Sequence, residues 1–166
     1  MKIKNLFPLT LLIWPYLIAP LFLDIFDAKT GSGYLIGYCI LTVFVYLANI
    51  LYACRCKAAA FLIRWNVAIK LAHIPFYFFL FCIGIAALAF SPLLMVVDLL
   101  LMLTSSAYGI SALLRAKKNG LISSGFAAAN ILCHFLFVLD NLSAVVSYGV
   151  IYRKINQQRI STPQNF

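Results

Sequence analysis

Residues 33–53 read GYLIGYCILTVFVYLANILYA, a run without one charged side chain. At ~1.5 Å per residue, a helix of this length covers a hydrocarbon core of ~30 Å. The chain is therefore expected to be all-α and to cross a bilayer. On either side lie further apolar runs, at about 6–26, 67–90, 93–114 and 122–152, separated by short polar connectors. The expected architecture is a polytopic transmembrane helix bundle of five spans, with four as the rival count. Residues 1–152 form one helical domain and 153–166 a frayed polar tail.

Composition supports the same class. Of 166 residues 64% are hydrophobic and 10% charged, and the mean hydropathy is +1.00, too little polar surface to cover a soluble globule. The net charge of +9 comes from 13 Lys and Arg against four acidic residues, all Asp. In a soluble chain that excess would suggest nucleic acid. In a membrane chain it reports orientation, so no nucleic-acid partner is expected. The odd, scattered set Cys39, Cys54, Cys56, Cys82 and Cys133 is not a disulfide framework. Cys54-Arg55-Cys56 lacks the second ligand pair of a zinc site, so neither metal nor cofactor is expected.

Each run has its own punctuation. The first follows Met1-Lys2-Ile3-Lys4 but has no A-x-A cleavage signal, which marks a retained helix rather than a leader. Pro8, Pro15 and Pro20 each remove a backbone donor, so this helix should be kinked and should lean on its neighbours. Gly33-Tyr34-Leu35-Ile36-Gly37 is a G-x-x-x-G packing pattern. Residues 55–70 read as a basic connector with an interfacial start. Ser91-Pro92 joins spans three and four as an antiparallel hairpin, and Arg115 to Gly120 forms a polar loop. The run 122–152 is too long for one perpendicular crossing and too short for two, which suggests one long tilted helix.

Five spans with a cytoplasmic N-terminus put nine basic residues inside: Lys2, Lys4, Arg55, Lys57, Arg64, Lys70, Arg115, Lys117 and Lys118. Four fall outside: Lys29, Arg153, Lys154 and Arg159. The bias favours this orientation, and only the basic C-terminus argues against it.

Helical spacing gathers polar residues on single faces. Asn66, Lys70, His73 and Tyr77 form an inner stripe on span three, and Tyr38, Thr42, Asn49 and Tyr52 a weaker line on span two. Asp98 and Ser105 share a face of span four. Asn130, His134 and Asn141 align on span five, with Asp140 beside them. Polar faces in lipid turn toward one another. The expected ligand, ion or proton site is thus an outer set of Asp98, Asp140, His134, Asn130, Asn141 and Ser105, without a Lys or Arg to neutralise its carboxylates. Ser105/Gly109 and Ser143/Ser147 also fit small-residue packing surfaces.

Catalytic signatures are missing: the chain has no H-E-x-x-H, G-x-S-x-G or P-loop, and no Glu. A non-enzyme is expected, binding or transporting a cation, proton or small polar ligand in an intramembrane polar cavity. In size and basic loops the chain also resembles small bacterial immunity or accessory membrane proteins, which implies the alternative of a non-catalytic interaction protein in a bacterial cell membrane. Expected partners are the bilayer, anionic lipid headgroups at the basic loops, and a second copy or another membrane protein.

Overall fold

The computed structural model describes residues 5–18, 20, 28–86, 91–134 and 137–161. Among them the chain is all-α, with no strand. The helices are α1 (Leu6–Ile13), α2 (Ala28–Arg55), α3 (Ala59–Ala86), α4 (Ser91–Lys118), α5 (Ser124–Cys133) and α6 (Phe137–Ser161), with a 3₁₀ helix at Trp14–Ile18 following α1. Two segments, Gly33–Arg55 and Leu99–Lys118, are each long and apolar enough to cross a membrane.

The proline-rich first run breaks as its sequence demands. Pro15 has no N–H for the carbonyl of Leu11, and His73 Nε2 of α3 donates to that oxygen instead, at 3.2 Å. In a 3₁₀ turn the carbonyl of Leu17 would take its proton from residue 20, which is Pro20; Tyr34 of α2 donates to it. Trp14 Nε1 donates to Thr42 Oγ1 at 2.8 Å while its ring stacks on Tyr38, and Phe7 stacks on Tyr52. The weaker line of α2 thus holds the first segment in place, antiparallel along residues 34–52, a stretch of ~27 Å by helical rise.

Side-chain pairs give the remaining register. Tyr108 of α4 donates to Asn49 Oδ1 of α2 at 2.7 Å, and Arg115 donates to the Cys54 carbonyl at 3.0 Å, so α2 and α4 run parallel. Helix α4 lies between α2 and α3, and α3 runs antiparallel to it, with Lys70 against Ser105 and Ser106 and Asn66 against Gly109. Helices α3 and α4 are thus antiparallel, as expected, but Ser91 and Pro92 form the first turn of α4 rather than the connection, and residues 87–90 lie outside the described ones. The basic connector shrinks to residues 56–58, because α3 begins at Ala59 and carries Arg64 within it.

The largest correction concerns residues 122–152, which are not one long helix. Gly120 adopts φ +69° and ends α4 in a left-handed cap, with Leu121 N–H bonded to the Ala116 carbonyl and Gly120 N–H to that of Lys117. Ser123 then caps α5 by accepting from Phe126 N–H at 3.2 Å. Helix α5 climbs back along α4 only as far as Ser106, whose hydroxyl meets the His134 carbonyl, and there the chain breaks. Helix α6 returns antiparallel to α3: Asp140 lies against Lys70, and Tyr152 lies under the Arg64 guanidinium at 5.1 Å. Asn130 braces the two arms, its Oδ1 accepting from Ser143 at 2.9 Å and Ser147 at 3.1 Å. Of the expected frayed tail, residues 153–161 are the last turns of α6, and 162–166 lie outside the described residues.

Candidate functional site: a buried ion cluster at the tip of a helical hairpin

The turn between α5 and α6 delivers His134 and Asp140 to the middle of the bundle. There they meet Lys70, one turn beyond Asn66 on α3, and Ser105 and Ser106 on α4. Lys70, His134 and Asp140 are 1%, 0% and 3% exposed, so the three groups are out of contact with solvent. Lys70 Nζ is ion-paired with Asp140 Oδ2 and lies 3.3 Å from Ser106 Oγ and 3.5 Å from Ser105 Oγ. The other carboxylate oxygen, Oδ1, faces His134 Nδ1 at 2.5 Å and Ser106 Oγ at 3.2 Å.

These contacts fix the proton positions. An ionised carboxylate only accepts, so His134 carries its proton on Nδ1 and leaves Nε2 bare when neutral. A backbone carbonyl only accepts as well, so His73 carries its proton on Nε2, toward Leu11, and its Nδ1 is bare. Both bare nitrogens are buried without a hydrogen-bond partner among the described residues. So are both amide atoms of Asn66 and Oδ1 of Asn141. A buried polar atom left unpaired costs about 1–3 kcal/mol, and these are spread over about two turns of α3 and the facing hairpin.

Gly109 makes the arrangement sterically possible. A Cβ there would meet His134 Nε2 at 2.4 Å, His134 Cε1 at 2.8 Å and Asn66 Nδ2 at 2.9 Å. The imidazole therefore rests directly on the α4 backbone with its bare nitrogen beside the Asn66 amide.

The expected outer set and inner stripe are not separate. Asp140, His134 and Ser105 of the first join Lys70 of the second, with Asn66 and His73 on either side of it along α3 and Tyr77 edge-on to His73 at 6.1 Å. The expectation that no Lys or Arg neutralises Asp140 is corrected: Lys70 does. The cause is the helix break, which brings Asp140 to the level of Lys70. Asn130 belongs to the brace between α5 and α6, and Asn141 is half-buried beside Asp140. The side chain of Asp98 lies outside the described residues, as do Asp24 and Asp27. Ser106, absent from the expected set, contacts every other member of the ion cluster; a turn at Ser91-Pro92 would have set residue 113 opposite Lys70, so no sequence signal pointed to Ser106. All five cysteines are free thiols.

No curated protein and no solved structure matches the chain. Residues 33–156 match a protein-family model described as a family of unknown function, DUF6652. That stretch runs from the first turns of α2 to the last turns of α6 and includes Lys70, Ser105, Ser106, His134 and Asp140, and the chain belongs to the DUF6652 family.

Proposed function

We propose that this protein is a multi-pass membrane protein that binds or transports a proton, cation or small polar ligand at the Lys70–Asp140–His134 cluster. The observation that carries this reading is a fully buried Lys70–Asp140 ion pair with the His134 imidazole on the same carboxylate, near the tip of a helical hairpin that turns back inside the bundle. Ionisable groups are costly in lipid and cluster where a membrane protein has work to do. Broken helices with sites near mid-depth recur in transporters, where irregular backbone survives only inside protein or beside a cavity.

In this reading the first segment, α2, α3 and α4 cross the bilayer, and α5–α6 is re-entrant. Lys70 lies eleven residues into α3, ~16 Å by helical rise, near the middle of a ~30 Å core. Arg55, Lys57, Arg64, Arg115, Lys117, Lys118, Arg153, Lys154 and Arg159 then share one end, which is the cytoplasmic one, and Lys29 lies at the other. The basic C-terminus, the one discordant feature of five crossings, becomes concordant with four. That end would face anionic headgroups. Catalysis is not part of this reading, because Asp140 engages Lys70 Nζ and leaves Ser106 without a free base.

Thermal unfolding of the purified protein in detergent tests the proposal, with sodium, potassium and glycine titrated in turn and pH varied between about 5 and 8. The wild type is expected to respond to at least one of these and Asp140→Asn to lose that response. Equal responses of the two proteins to every one of them would refute it.

A second reading, an interaction protein acting alone or as a homo-oligomer, draws support from α2. Ile36, Ile40, Phe44, Leu47 and Leu51 form an exposed stripe, with Ile36 62% and Phe44 65% exposed, and Gly33 and Gly37 have open space where a Cβ would be. Lipid or a second helix covers such a face equally well. Cysteine cross-linking along the stripe separates the two.

A further inference from the structure

Two imidazoles flank the ion pair on opposite sides along the bundle axis. His134 rests beside Asn66, one turn toward the basic end, and His73 lies one turn beyond Lys70 toward the other. Asn66 to His73 covers ~10 Å by helical rise. Each imidazole carries its proton on a nitrogen bonded to a fixed acceptor and presents a bare, buried, unpartnered nitrogen on its other side.

We infer that His134, Asp140, Lys70 and His73 form a proton-transfer line through the bundle, which makes the proton the species handled at the proposed site. This rests on the membrane reading above and narrows its ligand. Asp140 already has a resident cation in Lys70, so a metal ion would have to displace an ammonium on the same carboxylate oxygen. A proton needs no such space.

The transfer balances. A proton arriving on His134 Nε2 makes an imidazolium, which passes its Nδ1 proton to Asp140 Oδ1. The neutral carboxyl no longer balances Lys70, and the released ammonium, which does not touch His73 while paired with Asp140, reaches one turn along α3 and gives a proton to His73 Nδ1. Asp140 then returns its proton to the Lys70 amine and the ion pair re-forms. One proton has entered at His134 Nε2 and one leaves from His73 Nε2; each imidazole is left as its other tautomer and resets by turning about its side-chain bonds until its protonated nitrogen again faces its acceptor, Asp140 for His134 and the Leu11 carbonyl for His73. Ser106 holds Asp140 and Lys70 together throughout.

The groups facing this line are known element by element. Helix α3 contributes Asn66, Lys70, His73 and Tyr77, and α4 contributes Ser105 and Ser106. The hairpin contributes His134, Asp140 and Asn141, the first segment the Leu11 carbonyl, and α2 the buried Tyr46 in the same core cluster. Among the described side chains Asp140 is the one carboxylate there.

The test is proton flux into proteoliposomes under a valinomycin-imposed potassium potential, read by an internal pH-sensitive dye. Wild-type protein is expected to exceed protein-free vesicles. His134→Gln and His73→Gln should each lower the flux at least tenfold while remaining helical and monodisperse, and Lys117→Gln at the exposed α4 terminus should leave it unchanged. Wild-type flux equal to that of empty vesicles, or both Gln variants retaining wild-type flux, would overturn the proton line. If an Asp140-dependent response to sodium, potassium or glycine persists in that case, the intramembrane site stands and only its ligand has been misassigned.

Discussion

Replacing Lys70 with Met is expected to destabilise the protein by about 3–5 kcal/mol, because it strands the Asp140 carboxylate in a dry interior. Asp140→Leu alone should cost a similar amount by stranding the ammonium. The double variant Lys70→Met/Asp140→Leu should recover most of either loss, since an apolar pair of similar volume has no desolvation penalty to offset. Recovery would be incomplete, because His134 Nδ1 and Ser106 each lose an acceptor worth about 1 kcal/mol. Denaturation in mixed micelles, followed by circular dichroism, gives the coupling energy directly. Additive single effects below about 1 kcal/mol would mean that the two charges never meet in the folded protein.

Gly109→Ala should have an effect opposite in sign to helix propensity. In an ordinary helix interior this change stabilises by about 1 kcal/mol. Here the added methyl would lie 2.4 Å from His134 Nε2, and the ring cannot simply swing away while Nδ1 is bound to Asp140. Overpacking of this kind costs about 1–3 kcal/mol, so the net change is a loss and the Asp140–His134 contact is its first casualty. In a His134→Ala background the obstruction is gone, apart from the movable end of Asn66. There Gly109→Ala should become neutral or stabilising. The same loss in both backgrounds would show that the imidazole does not rest on Gly109.

The elements that define the bundle were legible because long uncharged runs and the prolines that break them carry strong local signals. A run such as 33–53 reads as one long apolar helix, and three prolines within thirteen residues break a helix wherever it sits; Ser91-Pro92, expected as a turn, instead opens α4. The register of the site was not legible from that turn: folding about Ser91-Pro92 would set Lys70 opposite residue 113, whereas the observed pairs, Lys70 with 105–106 and Asn66 with Gly109, centre on residues 87–88. The end of α5 at Cys133 was not legible. Nothing in Cys133-His134-Phe135-Leu136 is a glycine or a proline, so local propensity runs through it. What holds the break is tertiary: Ser106 on the His134 carbonyl, Lys70 on Asp140, and the Asn130 brace to Ser143 and Ser147. A straight helix through this point put Asp140 at the wrong depth and hid its partner. One misread turn thus separated an acidic set from a basic stripe that are a single cluster.

The same turn decides the topology, and topology is the most direct test of the whole account. Reporter tags fused to the N-terminus and, separately, to the C-terminus of the full chain reveal which side of the membrane each end occupies. A re-entrant α5–α6 hairpin predicts that both ends lie on the cytoplasmic side. Ends on opposite sides would mean that the last hydrophobic stretch crosses the bilayer, which would contradict the hairpin and the placement of Lys70, Asp140 and His134 at its tip.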